Sequence, residues 1–120
     1  MKVAITATGA DLDAKVDPRF GRAALFILYD VEEDSFTTVD NTQNLNAAQG
    51  AGIQAGQNIA GSGVSALITG NCGPKAFQVL QSSGIKVYIG AVGTVKEAIE
   101  DFKEGRLKTA DSPNVEGHWM

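Results

Sequence analysis

The sequence has almost none of the residues that build self-contained metal or redox centres. It holds one cysteine, Cys72, and one histidine, His118. A single cysteine excludes an intrachain disulfide and fits a reducing compartment. The two residues together exclude a zinc finger, a four-cysteine iron–sulfur site held by one chain, and a three-histidine catalytic zinc. Any soft-metal site here uses few protein ligands or shares them with a second chain. Positive charge is also short: 10 Lys and Arg stand against 14 Asp and Glu, a net charge of −4. That balance lacks the basic footprint through which nucleic-acid binders displace phosphate counterions. No apolar run approaches the roughly 18 residues of a membrane span, and the apolar stretch of Met1–Ala7 is too short for a signal peptide. We therefore expect a cytoplasmic protein with no nucleic-acid or membrane partner.

What is present suits one compact domain. A chain of 120 residues, 43% of them hydrophobic, buries enough surface to fold without staples. Val3, Ile5 and Ala7 alternate along a first strand, Lys2 to Thr8. The segment from Lys15 to Arg22 reads as a loop, because Asp17-Pro18 resists helix and Gly21 punctuates. A nearly continuous apolar run from Ala23 to Asp30 and a β-branched run from Phe36 to Asp40 predict a hairpin, with its second strand near the sheet edge. Small residues predict a helix from Gln49 to Ala60. A strand from Val64 to Thr69 leads to a helix with Pro74 at its first position and Gly84 just past its end. A strand from Ile85 to Ile89 leads to a helix opened by a Thr94–Glu97 capping box and closed at Gly105. Arg106 to Met120 lacks periodicity and reads as a tail. The order β-β-β-α-β-α-β-α predicts an α/β fold: a mixed five-stranded sheet with about three helices on its faces.

Ligands of parallel α/β units bind beyond the carboxyl ends of the strands. Two helix-opening turns fall there, Asn71-Cys72-Gly73-Pro74 and Gly90-Ala91-Val92-Gly93. Unpaired amides at a helix start attract anions; the plainer role of Gly90 and Gly93 is a tight turn. Cys72 precedes a helix whose dipole lowers a thiol pKa and favours thiolate; the alternative is a buried, inert cysteine. Arg19 and Arg22, with Lys15 nearby, form a local positive patch able to grip an anion; the alternative is a solvated loop whose Phe20 fills a core gap. His118 lies at the chain end, where side chains are usually exposed.

Several segments, in order, resemble the dinitrogenase iron–molybdenum cofactor biosynthesis family. This is the NifX-like domain that also occurs at the C-terminus of NifB-type proteins. The matching pieces run from Val16 to Ala23, Gly50 to Ala55, Ile68 to Phe77, Gly84 to Tyr88 and Gly93 to Ile99, with Pro113-Asn114-Val115 beyond. The resemblance implies a ribonuclease-H-like three-layer fold over residues 1–109, followed by a tail over 110–120. It implies non-covalent carriage of an iron–sulfur or molybdenum-containing cluster, or a thiomolybdate-like precursor, without catalysis. Partners would be the cluster and other cofactor-assembly proteins, with the chain a monomer or weak homodimer. Such a cargo would not stay tightly bound in an aerobic preparation. By position, Arg19-Phe20-Gly21-Arg22 and Asn71-Cys72-Gly73-Pro74 form the binding surface. Many relatives carry His where Gln49 stands, and an aliphatic residue where Cys72 stands.

The expected site therefore has Cys72 as metal anchor and Arg19 and Arg22 as clamps. Asn71, Gly73, Gly90 and Gly93 form its cradle, and Phe20 and Gly21 belong to the binding loop. A thiol-based redox sensor or enzyme using Cys72, and a cofactor-free protein-interaction module, are the alternative functions.

Overall fold

A computed structural model describes residues 1–41 and 51–110. Its elements are β1 (Lys2–Ala7), β2 (Leu25–Asp30), β3 (Ser35–Asp40), α1 (Ala51–Ala60), β4 (Ala66–Ile68), α2 (Pro74–Ser82), β5 (Lys86–Ile89), α3 (Val95–Lys103) and β6 (Lys108–Thr109). They form one mixed sheet in the order β3-β2-β1-β4-β5-β6. The β1–β2 and β2–β3 pairs are antiparallel, β1–β4 and β4–β5 parallel, and β5–β6 antiparallel.

The five-stranded expectation is corrected by β6, which the tail reading of Arg106 onward concealed. Two residues are too few to show a period. The strand exists because the Schellman-type end of α3 turns the chain back: the Gly105 amide bonds Phe102 and the Arg106 amide bonds Asp101. Thr109 then pairs with Tyr88, and Lys108 with Ile89. The predicted helix start at Gln49 lies outside the described residues, as do residues 111–120 of the expected tail 110–120.

Strand alternation divides the core into two layers. On one face Ala4, Phe26, Leu67 and Val87 pack with Ala55 and Ile59 of α1 and with Ala76, Phe77 and Leu80 of α2. On the other, Val3, Ile5, Ile27, Tyr29 and Ile68 meet Val95, Ala98 and Ile99 of α3. The result is three layers, as expected. Helix α3 is also tied to the β2–β3 turn: the Lys103 ammonium donates to the Tyr29 hydroxyl at 2.8 Å, and that hydroxyl donates to Asp34. The bond from Lys103 to Tyr29 raises the Lys103 pKa. No helix among the described residues is long and apolar enough to cross a membrane.

Candidate functional site

The carboxyl ends of β1 and β4 are bound together by a network of side chains and backbone. The Asp17 amide donates to the Thr6 carbonyl at 2.9 Å, and the Thr6 hydroxyl donates to the Asp17 carbonyl at 2.7 Å. The Thr6 and Thr69 hydroxyls, both buried, are joined at 3.0 Å, so neighbouring strand ends are locked below the loop. The Asp17 carboxylate, almost fully buried, accepts from the Arg19 amide at 3.0 Å and holds the loop's turn. Phe20 N–H donates to the Asn71 carbonyl at 3.3 Å, and the Asn71 side-chain amide donates to the Pro18 carbonyl at 3.0 Å. Residues 17–22 and 70–73 are thus one continuous platform.

Two glycines permit that closeness. A Cβ on Gly70 would stand 2.8 Å from the Pro18 Cα, and one on Gly21 would stand 2.8 Å from the Gly52 amide nitrogen. Both collisions are with backbone, which cannot swing aside. The Gly21 contact places the loop against the first turn of α1, so Arg19, Arg22, Asn71 and the starts of α1 and α2 share one end of the molecule. The Arg19 guanidinium is half exposed, with its Nε 3.9 Å from the Asp17 carboxylate.

The starts of the two following helices differ. Gly73 is the N-cap of α2 and provides no side-chain cap, Pro74 holds the first helical position, and the first turn carries no acid. Helix geometry leaves the Lys75 and Ala76 amides without intrahelical carbonyls. Helix α3 instead has the predicted capping box. The Glu97 amide donates to the Thr94 hydroxyl at 3.2 Å, and the Thr94 amide donates to the Glu97 carboxylate at 3.0 Å. These bonds, the Thr94 amide first, lower the Glu97 pKa. A protein carboxylate therefore already occupies the anion position at α3.

That difference corrects the expected cradle at Gly90 and Gly93. The Gly90 amide is used on the Gly70 carbonyl at 3.0 Å, and a Cβ on Gly93 would meet the Glu97 carboxylate at 2.7 Å. With φ of 80° and 83°, both serve the tight turn. The turn still borders the platform, because Val16 N–H donates to the Gly93 carbonyl.

Two further expectations are corrected by burial. Phe20 points into the core and packs against Phe26 at 5.5 Å between ring centroids, so it anchors the loop and does not line a surface. Cys72 has 0% exposure and belongs to the same apolar cluster. Burial pushes its thiol up to about 12, opposite to the lowering expected from the helix start. Desolvation of a thiolate here outweighs the dipole, since the sulfur sits beneath the turn among apolar side chains. As placed, Cys72 is a small apolar wall residue and presents no thiolate to a ligand. Among the described residues no three His, Cys, Asp or Glu side chains gather into a metal site. Gln49 and His118 lie outside the described residues.

Sequence reasoning missed three residues that shape the platform, Thr6, Thr69 and Asn41, and gave Asp17 a place in the loop but no role. Asn41 is fully buried, and its side-chain amide donates to the carbonyls of Gly21 at 3.2 Å and Ala23 at 2.8 Å. The available signal was Asn41 directly after a β-branched strand, which read equally well as the start of a polar connection.

This fold defines a small three-layer α/β protein whose 17–22 and 70–73 segments form one platform at the carboxyl ends of β1 and β4. The dinitrogenase iron–molybdenum cofactor family model matches residues 1–105, and the chain belongs to that family. It is 45% identical to the orange protein of Desulfovibrio gigas, solved in its apo form, covering 95% of this chain and 96% of that one at a TM-score of 0.92. It is 42% identical to a Thermotoga protein provisionally named as NifB and solved by NMR, covering 97% and 98% at a TM-score of 0.84. It is also 33% identical over 96 residues to an uncharacterized protein of Methanocaldococcus jannaschii, covering 78% of this chain and 81% of that protein.

Proposed function

We propose that this protein binds and carries an anionic iron–sulfur or molybdenum-containing cluster, or a thiomolybdate-like precursor, during metal-cofactor assembly in the cytoplasm. It does so without catalysing a reaction. The observation that carries this reading is the stitching of the Arg19–Arg22 loop to the start of α2, where Gly73 supplies no side-chain cap and the first turn carries no acid. Charge from the two arginines and Lys75, together with the first amides of α2, suits a sulfide-rich polyanion. The cargo is held from outside by charge and hydrogen bonds, which suits a cluster that must be handed to another assembly protein. The buried Cys72 gives no support to a thiolate anchor, nor to a redox sensor built on that thiol.

Anaerobic titration with tetrathiomolybdate tests the reading. Wild type and Cys72→Ala are expected to bind alike, whereas Arg19→Ala combined with Arg22→Ala weakens binding by about tenfold or more, the effect of losing charge-assisted bonds. No binding by wild type, or binding indifferent to both arginines, overturns it. A Cys72→Ala variant that folds but loses the cargo restores the anchor.

A further inference from the structure

The platform proposed to hold an anion contains a carboxylate. Asp17 is the one acid in residues 15–22 and 70–77, segments that also carry Lys15, Arg19, Arg22 and Lys75. Its side chain is only 9% exposed. The turn it closes does not require that charge. The Arg19 amide needs an oxygen two residues before it, and Asn supplies one as well as Asp does. Burying a carboxylate costs far more than burying an amide unless a partner offsets the loss of water. Among the described residues the one cation within 4.0 Å of Asp17 is Arg19, whose Nε lies at 3.9 Å.

Both charges stand on fixed backbone. Asp17 is bonded to Thr6 through its amide at 2.9 Å and its carbonyl at 2.7 Å, and Thr6 is joined to Thr69. Arg19 bridges Asn71, and Pro18 between the two charges has a locked φ and a carbonyl that accepts from the Asn71 side chain. Neither residue can shift its backbone to relieve the other. The pair is also layered. The Arg19 side chain is 47% exposed above a carboxylate that is nearly sealed off, so an anion arriving from solvent meets the guanidinium first. The contact with Asp17 runs through Nε, which leaves the terminal nitrogens with four of the five N–H donors of an Arg.

We propose that the Asp17 charge tempers the grip of the platform, so that a bound anion can be handed on. This rests on the reading of the platform as an anion carrier and assigns the release side of that function to one residue. The carboxylate opposes the cargo in two ways. It is an internal counter-ion that takes part of the Arg19 charge, and it is a fixed like charge beneath the cargo. A turn residue with no further role predicts the opposite sign, since changing it can only leave the platform unaltered or loosen it.

Anaerobic titration of the full chain with tetrathiomolybdate, a dianion, and tetrathioperrhenate, a monoanion of the same shape, is the test. Asp17→Asn is expected to raise affinity for the dianion about three- to fivefold, the scale of one partly exposed ion pair. Coulomb energy scales with ligand charge, so the gain for the monoanion is about twofold. Asp17→Ser, neutral and able to close the same turn, is expected to share the gain and stands in if Asp17→Asn does not fold. Urea unfolding identifies which variants fold. Wild type that binds neither anion overturns the carrier reading and this inference with it. Wild type that binds, with neutral variants that bind equally or more weakly, overturns this inference alone. So does a gain of the same size for both anions, which would come from loop geometry and not from charge.

Discussion

Helix α2 opens on Gly73 and Pro74 with Lys75 in its first turn, whereas α3 opens on Thr94 with Glu97 folded back onto it. Both follow parallel strands of the same sheet, and both end on a glycine of positive φ. A lysine at a helix start opposes the dipole, and the lack of an acid there forgoes a favourable contact, each worth about a few tenths of a kcal/mol. Helix α3 is optimised for itself. Helix α2 gives up that optimisation at the turn where Arg19, Asn71 and Pro18 converge. A helix start without an acid, next to arginines, is what the proposed anion site at this end rests on.

Four experiments sharpen or break this contrast. The largest effect concerns the buried thiol under the α2 turn. Its pKa is raised from an ordinary value of 9.0 to about 12. The folded state therefore holds a proton that the unfolded chain releases first. Stability from this group is complete below pH 9 and is lost as pH rises towards 12, by as much as about 4 kcal/mol. Urea unfolding of wild type and Cys72→Ala across that window checks it, since the variant lacks this component of the slope. A thiol alkylated at neutral pH at the rate of a free cysteine would contradict the burial.

Gly70→Ala comes next. Its Cβ meets the Pro18 backbone, and forced overpacking of this kind costs about 1–3 kcal/mol. Chemical denaturation measures the cost, and tetrathiomolybdate titration should show the platform weakened with it. Gly73→Asp copies the cap of α3 onto α2. Gly73 already has the extended φ and ψ of an N-cap, −82° and 175°. The expected result is a helix at least as stable, by thermal melting, with cargo affinity down by about tenfold from an internal carboxylate competing at the site. Unchanged affinity would mean that the α2 start is not where the anion binds. The smallest effect is that of Thr94→Ala, which removes the α3 cap for about 1 kcal/mol and leaves cargo binding alone.

Much of the fold was legible because it is written in short stretches. The Thr94–Glu97 box, Pro74 at the first position of α2 and Gly84 past its end act within a turn or two of the chain. The hairpin and the parallel β4–α2–β5 unit followed from strand composition and spacing. The short β6 was not legible, since among the described residues its partner is β5 and two residues show no pattern. The coming together of the candidate segments was legible, and their chemistry less so. The arginine loop and the α2 turn do come together, but Phe20 and Cys72 face inward and the Gly90–Gly93 turn is internally satisfied.

The sequence by itself determined where helices start and stop and which segments would reach one end of the sheet, because capping and periodicity are local. Only the tertiary structure decided what those segments do there. Cys72 is buried in an apolar cluster whose members include Phe20 and Phe26, far from it in sequence. The platform is held by Thr6, Asp17, Asn41 and Thr69, which come from four separate stretches of chain. Desolvation depends on every neighbour in space, so the environment that keeps Cys72 protonated could not be read from the helix that follows it.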